Sequence, residues 1–147
     1  LDLFAGSGSV GLEALSRGAK RSTFVEASAR HIKSLKTNLE TILKETSSSR
    51  SEVFVADAYR WIARYAGAGF DIVFADPPYA LGEEKGYASV LATLAERGVV
   101  RAGGVFVAEM TAVQRAEETP GWELLRDRVY GKTRICIWRK ENEKRPE

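Results

Sequence analysis

Apolar residues recur along this chain with two alternating periods, one of three to four residues and one of two, and the alternation predicts an α/β protein. Residues 1–4 read as the end of a first strand, 21–26 as a second, 52–56 as a third and 70–75 as a buried fourth. Helical spacing covers 10–17, where Gly18 is a suitable C-terminal cap, and 28–44, where Ile32, Leu35, Leu39, Ile42 and Leu43 fall on one face. Ser28 suits the N-cap of that second helix. Asp57 opens a short helix holding Trp61, Ile62 and Tyr65, and a helix over 86–97 leads through Gly103-Gly104 to a fifth strand at 105–110. Short connections between strands of this kind imply a parallel sheet covered on both faces. After residue 120 the pattern changes, and 122–130 and 133–139 flank Gly131-Lys132 as the arms of a β-hairpin. One domain is expected over 1–140, with a charged, frayed tail at 141–147 and a polar surface loop at 46–51.

The chain has 147 residues, 44% of them hydrophobic and 29% charged, which is the composition of a globular protein with a proper core. Its net charge of +2 permits a nucleic-acid partner without requiring one. Cys136 is the sole cysteine, so no disulfide forms within the chain, and a reducing cytoplasm is the expected location. No apolar run approaches the ~20 residues that cross a bilayer. His31 is the sole histidine and sits between Arg30 and Lys33 on a helix, so it reads as a surface residue. With one His and one Cys far apart, a metal or Cys-His site is not expected.

Chemistry concentrates at the carboxyl ends of the strands. Gly6-Ser7-Gly8-Ser9-Val10-Gly11 fits the G-x-G-x-x-G pattern between a strand and a helix, where glycine lets the backbone turn and approach a ligand. Glu26 ends strand two, where a carboxylate suits the hydroxyls of a ribose. Asp57 ends strand three, suited to an adenine amino group or to capping its helix, and Asp76 ends strand four. These residues share one rim, which in an open α/β sheet is the ligand edge. In Asp76-Pro77-Pro78-Tyr79 the prolines hold φ near about −65° and remove two N–H groups. The carbonyls of Asp76 and Pro77 then remain as acceptors beside an aromatic ring, an arrangement suited to a flat heterocycle with an amino group. A dinucleotide oxidoreductase shares the glycine loop and the acid after it but has no use for Asp-Pro-Pro-Tyr.

Asp2-Leu3-Phe4-Ala5-Gly6-Ser7-Gly8 together with Asp76-Pro77-Pro78-Tyr79 resembles the class I S-adenosylmethionine-dependent amino-methyltransferases. Residues 1–17, the Pro-Pro motif and Tyr130-Gly131-Lys132-Thr133 resemble, more narrowly, the RsmD family, which methylates the exocyclic N2 amine of a guanine in bacterial 16S ribosomal RNA. The resemblance implies a Rossmann-like three-layer sandwich around a mostly parallel seven-stranded sheet, order 3-2-1-4-5-7-6, ending in an antiparallel hairpin. It also implies that Asp2 and the backbone of Gly6, Ser7 and Gly8 hold the methionine end of S-adenosylmethionine. Glu26 would take the ribose and Asp57 the adenine, with Phe4 and Ala58 completing the set. Asp76, Pro77, Pro78 and Tyr79 would be the catalytic motif: Asp76 and the Pro77 carbonyl accept the two amine hydrogens, and Tyr79 stacks on the base.

The implied partner is ribosomal RNA or the small ribosomal subunit, with no metal and no membrane, and the chain is expected to act as a monomer. Members of the family carry an N-terminal segment that helps bind RNA; this chain opens inside its first strand, so sequence is expected ahead of Leu1. Arg126, Arg128, Lys132, Arg134, Arg139 and Lys140 gather at the hairpin, either to meet phosphates or to keep a sheet edge solvated. Rival readings are a DNA adenine-N6 methyltransferase, a protein glutamine-amide methyltransferase, and a non-catalytic domain that only binds the cofactor.

Overall fold

The computed structural model describes residues 1–45, 50–78 and 87–142. Most of the expected polar loop (46–49), Tyr79, the expected helix start at Gly86 and the end of the tail (143–147) lie outside the described residues. The chain divides into two compact units, Leu1–Trp61 and Ile62–Glu147.

The first unit contains β1 (Asp2–Leu3), α1 (Ser9–Ser16), β2 (Arg21–Glu26), α2 (Ala29–Glu45) and β3 (Arg50–Val55), with α3 (Ala58–Ala63) at its end. β2 is its centre, pairing in parallel with β1 through Asp2↔Phe24 and with β3 from Arg21↔Arg50 to Glu26↔Val55. Phe24 and Val25 are fully buried, and α1 and α2 bring Leu12, Leu15, Ile32, Leu35 and Leu39 into the core around Phe24. α1 ends as its sequence predicts. Gly18 adopts φ 101°, its N–H donates to the Leu15 carbonyl at 3.0 Å, and the Ala19 N–H donates to Ala14 at 2.9 Å. This is a Schellman closure, which occupies carbonyls that the last turn would otherwise leave unpaired.

The second unit contains β4 (Phe70–Ala75), α4 (Ala88–Glu96), β5 (Val100–Thr111), β6 (Trp122–Tyr130) and β7 (Thr133–Lys140). β4 and β5 are parallel; β7 runs antiparallel to both β5 and β6. Two sequence expectations change here. β5 starts at Val100, ahead of Gly103-Gly104, because the strand absorbs those glycines in an irregularity: Phe70 pairs with Val100, yet Ile72 pairs with Val105. A Cβ on Gly104 would press on the carbonyls of Arg101 and Asp71, so only glycine lets the strands stay paired there. Ile72, expected inside a buried strand, is 58% exposed, since its face of β4 lies open at that point among the described residues. The core of this unit is aromatic. Phe106 stacks on Trp138 at 5.8 Å between centroids, Tyr87 packs 5.9 Å from Phe106, and the buried Trp122 Nε1–H donates to the Leu91 carbonyl at 3.1 Å.

The seven strands are ordered β3-β2-β1-β4-β5-β7-β6, the order expected from the sequence, with β7 as the antiparallel member. This is the Rossmann-like sheet order that the resemblance implies.

Helix α1 approaches β2 closely only because residue 11 lacks a side chain, as a Cβ there would collide with the Phe24 ring and meet Ser22 Oγ. Gly11→Ala is expected to lower the unfolding free energy by about 1–3 kcal/mol through overpacking, read as a reduced urea midpoint with an unchanged m-value.

Candidate active site

At the exit of β1, Phe4 takes φ 57°, a left-handed conformation unusual for a bulky residue, and its ring meets Tyr59 edge-on at 5.3 Å. The chain then closes the glycine turn, with the Gly8 N–H donating to the Ala5 carbonyl at 2.8 Å. Gly8 combines φ 86° with a position where a Cβ would overlap Leu35, so glycine is required twice over.

Two carboxylates fasten this turn from below. Glu26, 9% exposed at the end of β2, accepts the Gly6 N–H on Oε1 at 2.9 Å and the Ser28 N–H on Oε2 at 2.7 Å. Asp2, 3% exposed, accepts the Gly11 N–H on Oδ2 at 3.0 Å, and so caps α1 from the neighbouring strand. Neither the Glu26–Gly6 nor the Asp2–Gly11 bond was legible in the spacing, because each links residues on different elements. Asp57 behaves as an N-cap, accepting the Arg60 N–H at 2.9 Å while remaining exposed, and Ala58 is buried behind it. Burial raises the Tyr59 hydroxyl above its ordinary value, and the Asp57 charge adds to the shift. Ser7 is exposed, and its carbonyl accepts from the Asn38 amide at 3.1 Å. His31 is exposed, as expected, with Nδ1 3.8 Å from Glu26 Oε1.

This half-site fits the parts of S-adenosylmethionine. Asp2 takes the Gly11 N–H of the first turn of α1 and the N-cap residue Gly8 makes no side-chain cap, which leaves the turn's other N–H groups to a carboxylate. A carboxylate has about four lone-pair positions, so Glu26 can hold its two backbone donors and still accept the hydroxyls of a ribose. Asp57 has an oxygen beyond its cap bond to offer an amino group.

In the second unit Asp76 follows β4 directly, Pro77 is buried and Pro78 exposed. Tyr79 lies outside the described residues. Desolvation raises the Asp76 carboxyl above its ordinary range. β5 contributes a further acid, Glu109, whose carboxyl is raised by burial and then by the charge of Asp76. Sequence reading passed over Glu109; its signal was a lone acid inside the apolar run 105–110.

The basic cluster of the hairpin divides. Arg134 is tied down by hydrogen bonds to both Asp127 oxygens, at 2.6 and 2.8 Å, and to the Ala112 carbonyl at 3.1 Å. Arg139 pairs with Glu123, and Lys140 reaches the Val100 carbonyl at 3.1 Å. Arg126, Arg128 and Lys132 stay exposed. Cys136 is buried and its thiol is pushed up to about 12, first by burial and then by Asp127, so it is no nucleophile at neutral pH. Among the described residues no His, Cys, Asp and Glu cluster suits a metal, and no helix is long and apolar enough to cross a membrane.

The family described as conserved hypothetical protein 95 matches residues 1–139. The chain is 36% identical to YlbH of Bacillus subtilis, a protein carrying a provisional rRNA methyltransferase name, over 95% of this chain and 74% of that one. It is 31% identical to the ribosomal RNA small subunit methyltransferase D of Escherichia coli K12, over 96% of this chain and 68% of the relative. Among solved structures, a conserved hypothetical protein of Streptococcus pyogenes superposes with a TM-score of 0.83 at 26% identity, covering 95% of this chain and 84% of that one. The chain thus spans between two thirds and three quarters of the length of these curated relatives.

Glu26→Gln sets an amide NH₂ against one of two backbone donors. It is expected to cost about 1–3 kcal/mol of stability, measured by denaturant unfolding without ligand.

Proposed function

The chain belongs to the conserved hypothetical protein 95 family, the RsmD family, and from that premise we propose that it transfers a methyl group from S-adenosylmethionine to the exocyclic N2 amine of a guanine in small-subunit ribosomal RNA. The observation that carries this reading is the Asp76 carboxylate at the carboxyl end of β4, followed by two prolines that donate no hydrogen bond.

A guanine amine is a weak nucleophile because its lone pair is delocalised into the ring. When bound, S-adenosylmethionine supplies an electrophilic methyl group on a sulfonium. The Asp76 carboxylate accepts one amine hydrogen and the Pro77 carbonyl the other, which holds the nitrogen as it pyramidalises and directs its lone pair outward. Asp76 would then stabilise the positive charge that develops on nitrogen and take the proton released as the N–C bond forms, the methyl–sulfur bond breaking with its electron pair left on the neutral thioether product. In the first unit, Phe4, Gly6, Ser7, Gly8 and Asp2 hold the amino-acid end of the cofactor, Glu26 the ribose, and Asp57 with Ala58 the adenine. A ribosomal RNA substrate is met in the cytoplasm, where the enzyme is proposed to act. Arg126, Arg128 and Lys132 are the hairpin cations open to phosphate, whereas Arg134 belongs to the hairpin itself.

Tritiated S-adenosylmethionine offered with small ribosomal subunits, ribosomal RNA, duplex DNA and release factor separates the rivals. N2-methylguanosine in small-subunit RNA is expected, and label confined to DNA or protein would overturn the proposal. Asp76→Ala is expected to bind cofactor as the parent does by calorimetry while turnover falls about 100-fold or more. Because the Asp76 carboxyl is raised, it protonates at a higher pH than an ordinary aspartate, and then it neither offsets the developing positive charge nor takes the amine proton. Activity is therefore expected to fall as pH drops through a point above the usual Asp range, a limb that Asp76→Asn removes.

A further inference from the structure

Building on the guanine reading of the site, we propose that Glu109 reads the base, accepting the ring N1–H of guanine while Asp76 holds the reacting amine beside it. The two acids are placed together by the sheet. Ala75 is in register with Ala108 on the parallel neighbour, so Asp76 and Glu109 are the next residues along adjacent chains, whose spacing is about 4.8 Å. The main chain of Glu109 is anchored. Its backbone carbonyl accepts the Tyr87 hydroxyl at 2.9 Å, and the Tyr87 ring is packed against Phe106 and Trp138.

Its flanking residues Ala108 and Met110 are buried and Glu109 itself is half-buried, yet its carboxylate has no hydrogen bond or ion pair among the described residues. A partly buried carboxylate without a donor is costly and calls for one. The Asp76 charge contributes, after burial, to the raised Glu109 carboxyl, which agrees with their adjacency.

Guanine presents N1–H and the N2 amine side by side on its Watson–Crick edge, two adjacent donors for two adjacent carboxylates. Adenine presents a bare N1 lone pair beside its amine, which a carboxylate repels. Glu109 would thereby select guanine over adenine, a discrimination that Asp76 and the prolines cannot make, because both bases carry an amine.

The test compares the full protein and Glu109→Gln on an RNA fragment containing the guanosine that the parent methylates and on the same fragment with 2-aminopurine at that position. 2-Aminopurine keeps the N2 amine but has a lone pair at N1. The parent is expected to prefer guanine by about 10-fold or more in kcat/KM. In Glu109→Gln the guanine rate is expected to fall about 10- to 100-fold while 2-aminopurine is unchanged or improved, so that the preference collapses, with cofactor affinity and melting temperature retained. Equal parent rates on the two fragments would overturn the inference with no variant needed, as would an equal loss on both in Glu109→Gln. Absence of methyl transfer to any ribosomal RNA by the parent would overturn the functional reading and this inference together.

Discussion

The Glu26 carboxylate sits beneath the glycine turn and holds two backbone N–H groups, Gly6 on one oxygen and Ser28 on the other. Through them it joins the loop after β1, the end of β2 and the entry to α2. A buried carboxylate is tolerated only where donors surround it, and here the donors are main-chain groups that the sharp turn would otherwise leave unpaired. Asp2 does the same for the start of α1. The acids expected to bind a cofactor therefore also build the cradle, so its shape is fixed before any ligand arrives. The left-handed Phe4 is consistent with a backbone held in place by its surroundings.

The acids of the second unit follow the opposite rule. Among the described residues Asp76 and Glu109 accept no backbone donors of this kind, and desolvation raises both carboxyls. Carboxylates not tied to the main chain make a poor scaffold but a good receptor for a base edge that brings its own N–H groups. Carboxylates bound to the main chain shape the loop of the first unit, and carboxylates of raised pKa stand at the strand ends of the second.

The hairpin illustrates how little a count of charges decides. Six basic residues cluster in its sequence, but Arg134 fills a structural slot between Asp127 and Ala112, and Arg139 and Lys140 have partners of their own. β6 remains an exposed edge, with Leu124, Val129 and Tyr130 open beside Arg126 and Arg128. Interspersed charge on such an edge discourages pairing with other chains whether or not RNA ever contacts it.

Periodicity and glycine placement determined most of the architecture. β2 and β6 fall on their expected residues, α1 and α2 are displaced by a single residue, and Gly18 ends its helix as read. These features are local: a face repeats every two or 3.6 residues, and a left-handed cap needs glycine. The Asp-Pro-Pro motif was legible for the same reason, as a contiguous string. Registers between strands were not legible. The glycine irregularity that lengthens β5, the capture of Gly6 by Glu26 and of Gly11 by Asp2, the commitment of Arg134, and the meeting of Asp76 with Glu109 all join residues distant in sequence. Such pairings depend on which strand lies beside which and at what offset, and only the assembled sheet decides that.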